Sequence, residues 1–331
     1  MITRRHAIGL LGTAALTCGV AGRATAQSMP AQAWPTRIVR LIVPFAPGGS
    51  TDAMARIVAN RLSEMWGQQM VVENRGGGGS NIGHEAVVRS EADGYTVLIA
   101  SMPLAVNRYL FRALTYDPVA DLAPVTLICT YPNVMTVPNS SPANSVMEFI
   151  AYAKANRGKV TYASSGNGTS VHLSGELFKR MAGIEMTHVP YRGGGPAIND
   201  LIPGRVDVMF NTIGTALPLV RGRQLRGLAV TTAARFRTAP DLPTIAESGV
   251  PGFDVSSWFA FFVPAKTPPE IIRKLHADTA SVLAEPAIKQ RMEHLGVAPG
   301  SSTPAALAAH LKSEMDKWGP IIKQAGISIH D

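Results

Sequence analysis

Cysteine, charge and aromatic rings are all scarce in this chain. Of 331 residues two are Cys, 16% are charged and 6% are aromatic, against 46% hydrophobic. Cys18 falls in an N-terminal stretch read below as an export signal. Cys129 alone cannot form an intramolecular disulfide, which excludes a disulfide-stapled scaffold; inside an apolar run it reads as a small buried hydrophobe. Metal spacing is missing too. His188, His276, His294 and His310 are scattered, and His84-Glu85-Ala86-Val87-Val88 has Val where a zinc-binding helix needs its second His. Neither G-x-x-x-x-G-K-[ST] nor G-x-G-x-x-G occurs, so nucleotide cofactors lose their usual signature, and no G-x-S-x-G elbow offers hydrolase chemistry. No Lys/Arg cluster is interleaved with aromatics, so nucleic acid is not an expected partner. The expected cofactor and metal complement is none.

The N-terminus carries a processing pattern. Thr3-Arg4-Arg5-His6 is charged, Ala7–Val20 is apolar but shorter than the roughly 20 residues of a membrane span, and Ala24-Thr25-Ala26 gives a small-x-small cleavage site. Residues 1–26 are therefore read as a signal peptide and the remainder as a protein exported from the cytoplasm. The Arg pair admits twin-arginine export, but Ala7 stands where that pattern wants a bulkier residue, so general secretion stays open. Without this segment Lys+Arg falls from 31 to 28 against 23 acids, a net charge of about +5 rather than +8. That mild excess suits an anionic small ligand only weakly.

What the chain has is an alternation of short β-branched runs with helical patterns, the signature of an α/β fold with mostly parallel sheets. Strands are expected at 37–43, 69–73, 96–100, 122–129, 133–137, 160–163, 186–189, 206–210, 225–230 and 255–263, more than one typical sheet holds. Ser145 with Glu148, and Thr267 with Pro268 and Glu270, read as capping boxes; Thr303-Pro304 opens the last long helix. The runs 122–129 and 255–263 read as two crossings between lobes. This predicts one lobe from 27–125 with 254–331 and another from 126–253, forming a cleft that closes by hinge motion.

Three Gly-rich strand-to-helix turns stand out. Val43-Pro44-Phe45-Ala46-Pro47-Gly48-Gly49-Ser50-Thr51-Asp52 precedes an amphipathic run with Ala53, Ile57, Val58, Leu62 and Met65. Ser164-Ser165-Gly166-Asn167-Gly168-Thr169-Ser170 precedes another with Leu173, Leu177, Phe178 and Met181. Pro190-Tyr191-Arg192-Gly193-Gly194-Gly195-Pro196 is the third. A tight turn into a helix exposes free backbone N–H groups where the helix dipole favours an anion. Ordinary turns capped by Ser50 or Thr51 fit the first spacing equally well, but three such turns together point to an anion held in the cleft. Gly76-Gly77-Gly78-Gly79-Ser80-Asn81 reads as a flexible loop entering a helix at Ser80.

These motifs resemble the Bug family of extracytoplasmic solute receptors of tripartite tricarboxylate transporters. The likeness runs through Trp34-Pro35, the stretch from Arg37 to Asp52, Glu73-Asn74-Arg75, Ala92-Asp93-Gly94-Tyr95-Thr96, the stretch from Tyr162 to Thr169, His188-Val189-Pro190-Tyr191-Arg192-Gly193 and Val263-Pro264-Ala265-Lys266-Thr267-Pro268. It covers essentially all of the chain after the signal. The resemblance implies a two-lobed type II periplasmic-binding-protein fold, a carboxylate ligand, membrane transporter subunits as partners, a periplasmic monomer and no enzymatic activity. Carried over by position, it implies one pincer of Phe45, Ala46, Gly48, Gly49, Ser50 and Asp52, and a second of Ser165, Gly168, Thr169 and His172. Tyr191, Gly193 and Asn211 are implied at the cleft wall, Trp258 is implied to cover it, and Arg192 is a candidate for a second carboxylate. Asp52 has two readings, a ligand contact or a charge complementing the helix N-terminus. The alternatives are an exported enzyme of the same architecture using Ser165 or Thr169 with His172, and a solute sensor.

Overall fold

The computed structural model describes residues 34–324 and 326–327; the signal peptide read at 1–26 lies outside them. Strands β1 (Val39–Val43), β2 (Met70–Asn74) and β3 (Thr96–Ala100) run parallel in the order β2-β1-β3, joined by helices α1 (Ser50–Trp66) and α2 (Asn81–Val88). After α3 (Pro103–Leu110) the chain enters β4 (Leu122–Pro138), which leads into a second sheet. There β4 pairs with β7 (Val208–Thr212) and β8 (Leu225–Val230), and β7 continues to β5 (Thr161–Ser164) and β6 (Thr187–Pro190). Helices α4 (Val146–Ala155), α5 (Ser170–Ala182), α6 (Gly194–Leu201) and α7 (Ile213–Arg221) cover this second sheet. The chain then returns through β9 (Ser256–Pro264), which lies between β3 and β4. Helices α8 (Pro269–Ala284) and α9 (Pro286–His294), the short β10 (Ala298–Pro299) and α10 (Pro304–Gln324) finish the first lobe, α8 against α1 and α10 against α3.

The runs 122–129 and 133–137 are not separate strands: β4 is continuous for 17 residues. Pro132 sits where the ladder changes partner, so its missing N–H costs no hydrogen bond. Up to Pro132 the strand faces β9, and from Asn133 it faces β7. The backbone of Asn133 is tied to Thr231, which in turn accepts from Val255. Two chain passages thus lie side by side where the lobes meet.

Helix boundaries follow local chemistry. Ser145 accepts from the Glu148 amide at 3.2 Å, and Thr303 accepts from Ala306 at 3.2 Å, as expected of caps. The box at Thr267 does not form. Two consecutive prolines move the start of α8 to Pro269, leaving the Thr267 hydroxyl buried without a partner. Met65 and Met181 are partly exposed rather than on the inner faces of α1 and α5. β9 is buried on both sides: Trp258, Ala260 and Phe262 join one core, Phe259, Phe261 and Val263 the other, the period of two of a strand between helix layers.

Candidate functional site

At the carboxyl end of β1 the chain turns through Gly48 at φ +88°, a conformation glycine adopts without strain, into α1. Gly49 is the N-cap and no side chain caps the helix. Ser50 hydrogen-bonds Thr212 of the other lobe, Oγ to Oγ1, at 2.6 Å. The first-turn amides of Ser50 and Thr51 have no carbonyl four residues back within the helix. Asp52 faces backwards. Its carboxylate accepts from Gly48 N–H at 3.2 Å, from the Arg56 guanidinium at 3.0 and 3.1 Å, and from Asn74 at 3.0 Å. Burial alone would raise its pKa, but these donors outweigh it and hold the carboxyl below its ordinary value. Of the two readings of Asp52, the geometry supports the second, a charge at the N-terminus of α1, and adds that it braces the turn through Gly48, Arg56 and Asn74.

The second turn is built without charge. Thr169 caps α5, its hydroxyl accepting from His172 N–H at 3.3 Å and donating to Gly166 O at 2.7 Å. His172 Nδ1 accepts from Gly168 N–H at 3.3 Å, and its ring stacks on His188 at 4.3 Å. His188 Nε2 meets Ser164 Oγ at 2.6 Å, and its other face stacks on Tyr162. Desolvation, then nearby Lys179, pushes His172 down to about 4; desolvation, then His172 itself, pushes His188 down to about 3. Both imidazoles are therefore neutral at pH 7. The first-turn amides of Ser170 and Val171 are left free within their helix.

The two turns face each other across an inner chamber of about 20 Å³. Five helix starts reach it: Ser50 and Thr51 of α1, Ser101 just before α3, Ser170 and Val171 of α5, Gly194 of α6 and Thr212 at the cap of α7. Among the described residues no Asp, Glu, Lys, Arg or His lines it. Asn211 does, and its Nδ2 is a buried donor without a partner. A polar pocket of free donors at converging positive helix ends is suited to a carboxylate oxygen. Phe45 and Ser165 also border an outer chamber of about 200 Å³, lined further by Pro44, Phe111, Tyr191, Arg192 and the Gly77–Ser80 loop.

Beside the chambers the lobes meet main chain to main chain. Ala46 N–H donates to Arg192 O at 2.8 Å. A Cβ on Gly195 would lie 2.7 Å from Pro47 O, so the seam closes this tightly only because that position lacks a side chain, while one on Gly49 would lie in ordinary contact 3.4 Å from Gly194 N.

Of the residues expected at the site, Phe45, Gly49, Ser50, Ser165, Thr169 and Asn211 line the inner chamber, and Tyr191 the outer. Ala46, Gly48 and Gly168 do not, and their amides are already donated to Arg192, Asp52 and His172. Gly193 belongs to the seam, where its Cβ would lie 3.0 Å from Ala46 N. Asp52 and His172 stand behind their turns. Tyr191 spends its hydroxyl on Asp200 at 2.7 Å. Trp258 does not cover the cleft: strand alternation turns it toward α10, where it packs on His310 at 5.4 Å. Thr51, Ser101, Tyr131, Val171, Gly194, Met209 and Thr212 also line the inner chamber and were missed. For Ser101 and Thr212 the signal was available, since each lies at the carboxyl end of a strand, where α/β sheets bind ligands. The enzyme alternative lacks its geometry, because His172 reaches neither the Ser165 hydroxyl nor a free Thr169 hydroxyl.

The chain is similar to proteins of one family. The profile described as "Tripartite tricarboxylate transporter family receptor" matches residues 54–327. An R. palustris protein solved with adipate is 41% identical, with a TM-score of 0.87 over 89% of this chain and 100% of that one. MatC from Rhodopseudomonas palustris, solved with malate, is 30% identical, with a TM-score of 0.82 over 87% of this chain and 100% of that one. The protein BugT of Bordetella pertussis is 35% identical over 97% of this chain and 98% of its own length.

Proposed function

The chain belongs to the tripartite tricarboxylate transporter receptor family, a family of solute-binding receptors rather than enzymes, and from that premise we propose how it works. It captures the carboxylate of a small organic acid on the free amides of α1 and α5, closes on it, and delivers it in the periplasm to membrane subunits of a tripartite transporter. The moving bodies are 27–125 with 254–331 and 126–253, and the receptor acts as a monomer after export by the twin-arginine or general route.

The observation that carries this reading is the convergence of five helix starts on one chamber that, among the described residues, no charged side chain lines. A micromolar dissociation constant corresponds to about 8 kcal/mol, whereas one helix terminus supplies about 0.3 to 2. One turn is insufficient; several facing turns with water excluded are not. Because donors come from both lobes, the ligand binds the closed form better than the open one, which is the requirement for ligand-driven closure. The adipate- and malate-bound relatives support a carboxylate as the ligand here.

A thermal-shift screen of the purified protein against carboxylates and their amides tests this. Ligand at about 100 times its dissociation constant adds roughly 2.7 kcal/mol of stability. The expected result is a shift with acids, none with amides, and ligand recovered intact. A chemically altered ligand, or equal shifts with amides, would overturn the reading.

A further inference from the structure

The inner chamber, at about 20 Å³, admits little more than a water-sized group, so the body of any ligand seated there must continue past Phe45 and Ser165 into the outer chamber. That second space differs in chemistry. Pro44, Phe45 and Phe111 give it apolar walls, and among the described residues Arg192 is the only cation lining either chamber. Among the described residues the exposed Arg192 guanidinium has no ion pair or hydrogen bond, while its backbone is anchored at the seam through the Ala46 bond. Ser80, whose hydroxyl is also without a partner, borders the same space.

We propose that the outer chamber reads the far end of the ligand, and that the ligand class is an extended dicarboxylate. One carboxylate lies on the neutral amides, an apolar carbon chain lies against Phe45 and Phe111, and the second carboxylate meets Arg192. This rests on the receptor reading above and adds to it the substrate class and a specificity-determining residue. The two ends are unequal. The inner carboxylate is desolvated and held by dipoles, whereas the outer one is paired with an exposed cation, so only the outer contribution weakens strongly with salt.

Calorimetry with straight-chain dicarboxylates of about four to eight carbons and monocarboxylates of equal length decides this, on the unaltered protein and on Arg192→Gln. The expected result is a best dicarboxylate bound about tenfold or more tighter than its monocarboxylate at low salt, an advantage that Arg192→Gln removes while monocarboxylate affinity stays the same. Equal binding of the two series, or an equal loss of both in Arg192→Gln, would overturn the assignment and leave the receptor reading standing. Binding of neither series would overturn the carboxylate reading itself.

Discussion

The turns opening α1 and α5 present the same group to the inner chamber, a pair of free first-turn amides, yet they are braced in opposite ways. Behind the first stands an ion pair, Asp52 with Arg56, reinforced by Asn74 and partly open to water. Behind the second stands a dry stack of Tyr162, His188 and His172 with a capping Thr169. A buried neutral stack holds its turn through packing and directed hydrogen bonds, while an ion pair half in solvent holds it through an attraction that salt and pH both weaken. The difference teaches that the same free backbone donors can be held in place by unlike side chains.

Removing the backbone function should therefore have the largest effect. Gly49→Val places a branched side chain on the seam and in the inner chamber, with an expected affinity loss of about 100-fold, or roughly 2.7 kcal/mol, in a folded protein. Titration calorimetry beside circular dichroism checks it; retained affinity would mean that the second turn binds alone.

The next effect concerns pH. His172 and His188 have folded values of about 4 and about 3, below the ordinary 6.5, so between these limits the unfolded chain binds more protons than the folded one. Stability is complete above pH 6.5 and falls as pH drops toward those folded values. Between pH 7 and 5 the loss is about 2 kcal/mol for each such buried His. His84, buried in the first lobe and pushed down to about 3 by desolvation, adds a similar loss outside both turns. Urea unfolding of His172→Leu should show a shallower dependence below pH 6.5; an unchanged slope would count against the neutral stack.

Thr169→Ala removes the cap that Gly49 never supplied to α1, with an expected loss of about 1 kcal/mol by the same urea titration. The smallest effect belongs to Asp52→Asn. Arg56 is half exposed, so the loss should be about 0.5 kcal/mol and shrink further in high salt. A loss larger than that of Thr169→Ala would reverse the ranking of the two braces.

Much of this was legible in the sequence because the signals were local. Strand positions followed β-branched runs, and the free amides followed from a Gly turn running into an apolar-periodic helix, as at Gly49-Ser50-Thr51. What failed depended on direction or assembly. The residue types of Asp52 and His172 announce chemistry but not which way a side chain turns, and both turn away from the cleft. Trp258 was misplaced by the alternation of a strand buried on both sides. Tyr131 and Met209 reach the chamber only because β4 and β7, far apart in the chain, pair in one sheet. Pro132 reads as a strand breaker until the change of ladder partner makes its missing donor irrelevant.

The glycine seam has a bearing on how faithfully such a receptor reports. Hydrophobic attraction scales with the hydrocarbon hidden from water, about 25 cal/mol per Å². Along Ala46–Gly49 and Arg192–Gly195 the approaching surfaces are main chain and bare α-carbons, so shutting there hides very little. Shutting at this seam therefore offers an unloaded molecule almost no hydrophobic gain, and a downstream reader that recognises the shut seam receives few false alarms from it.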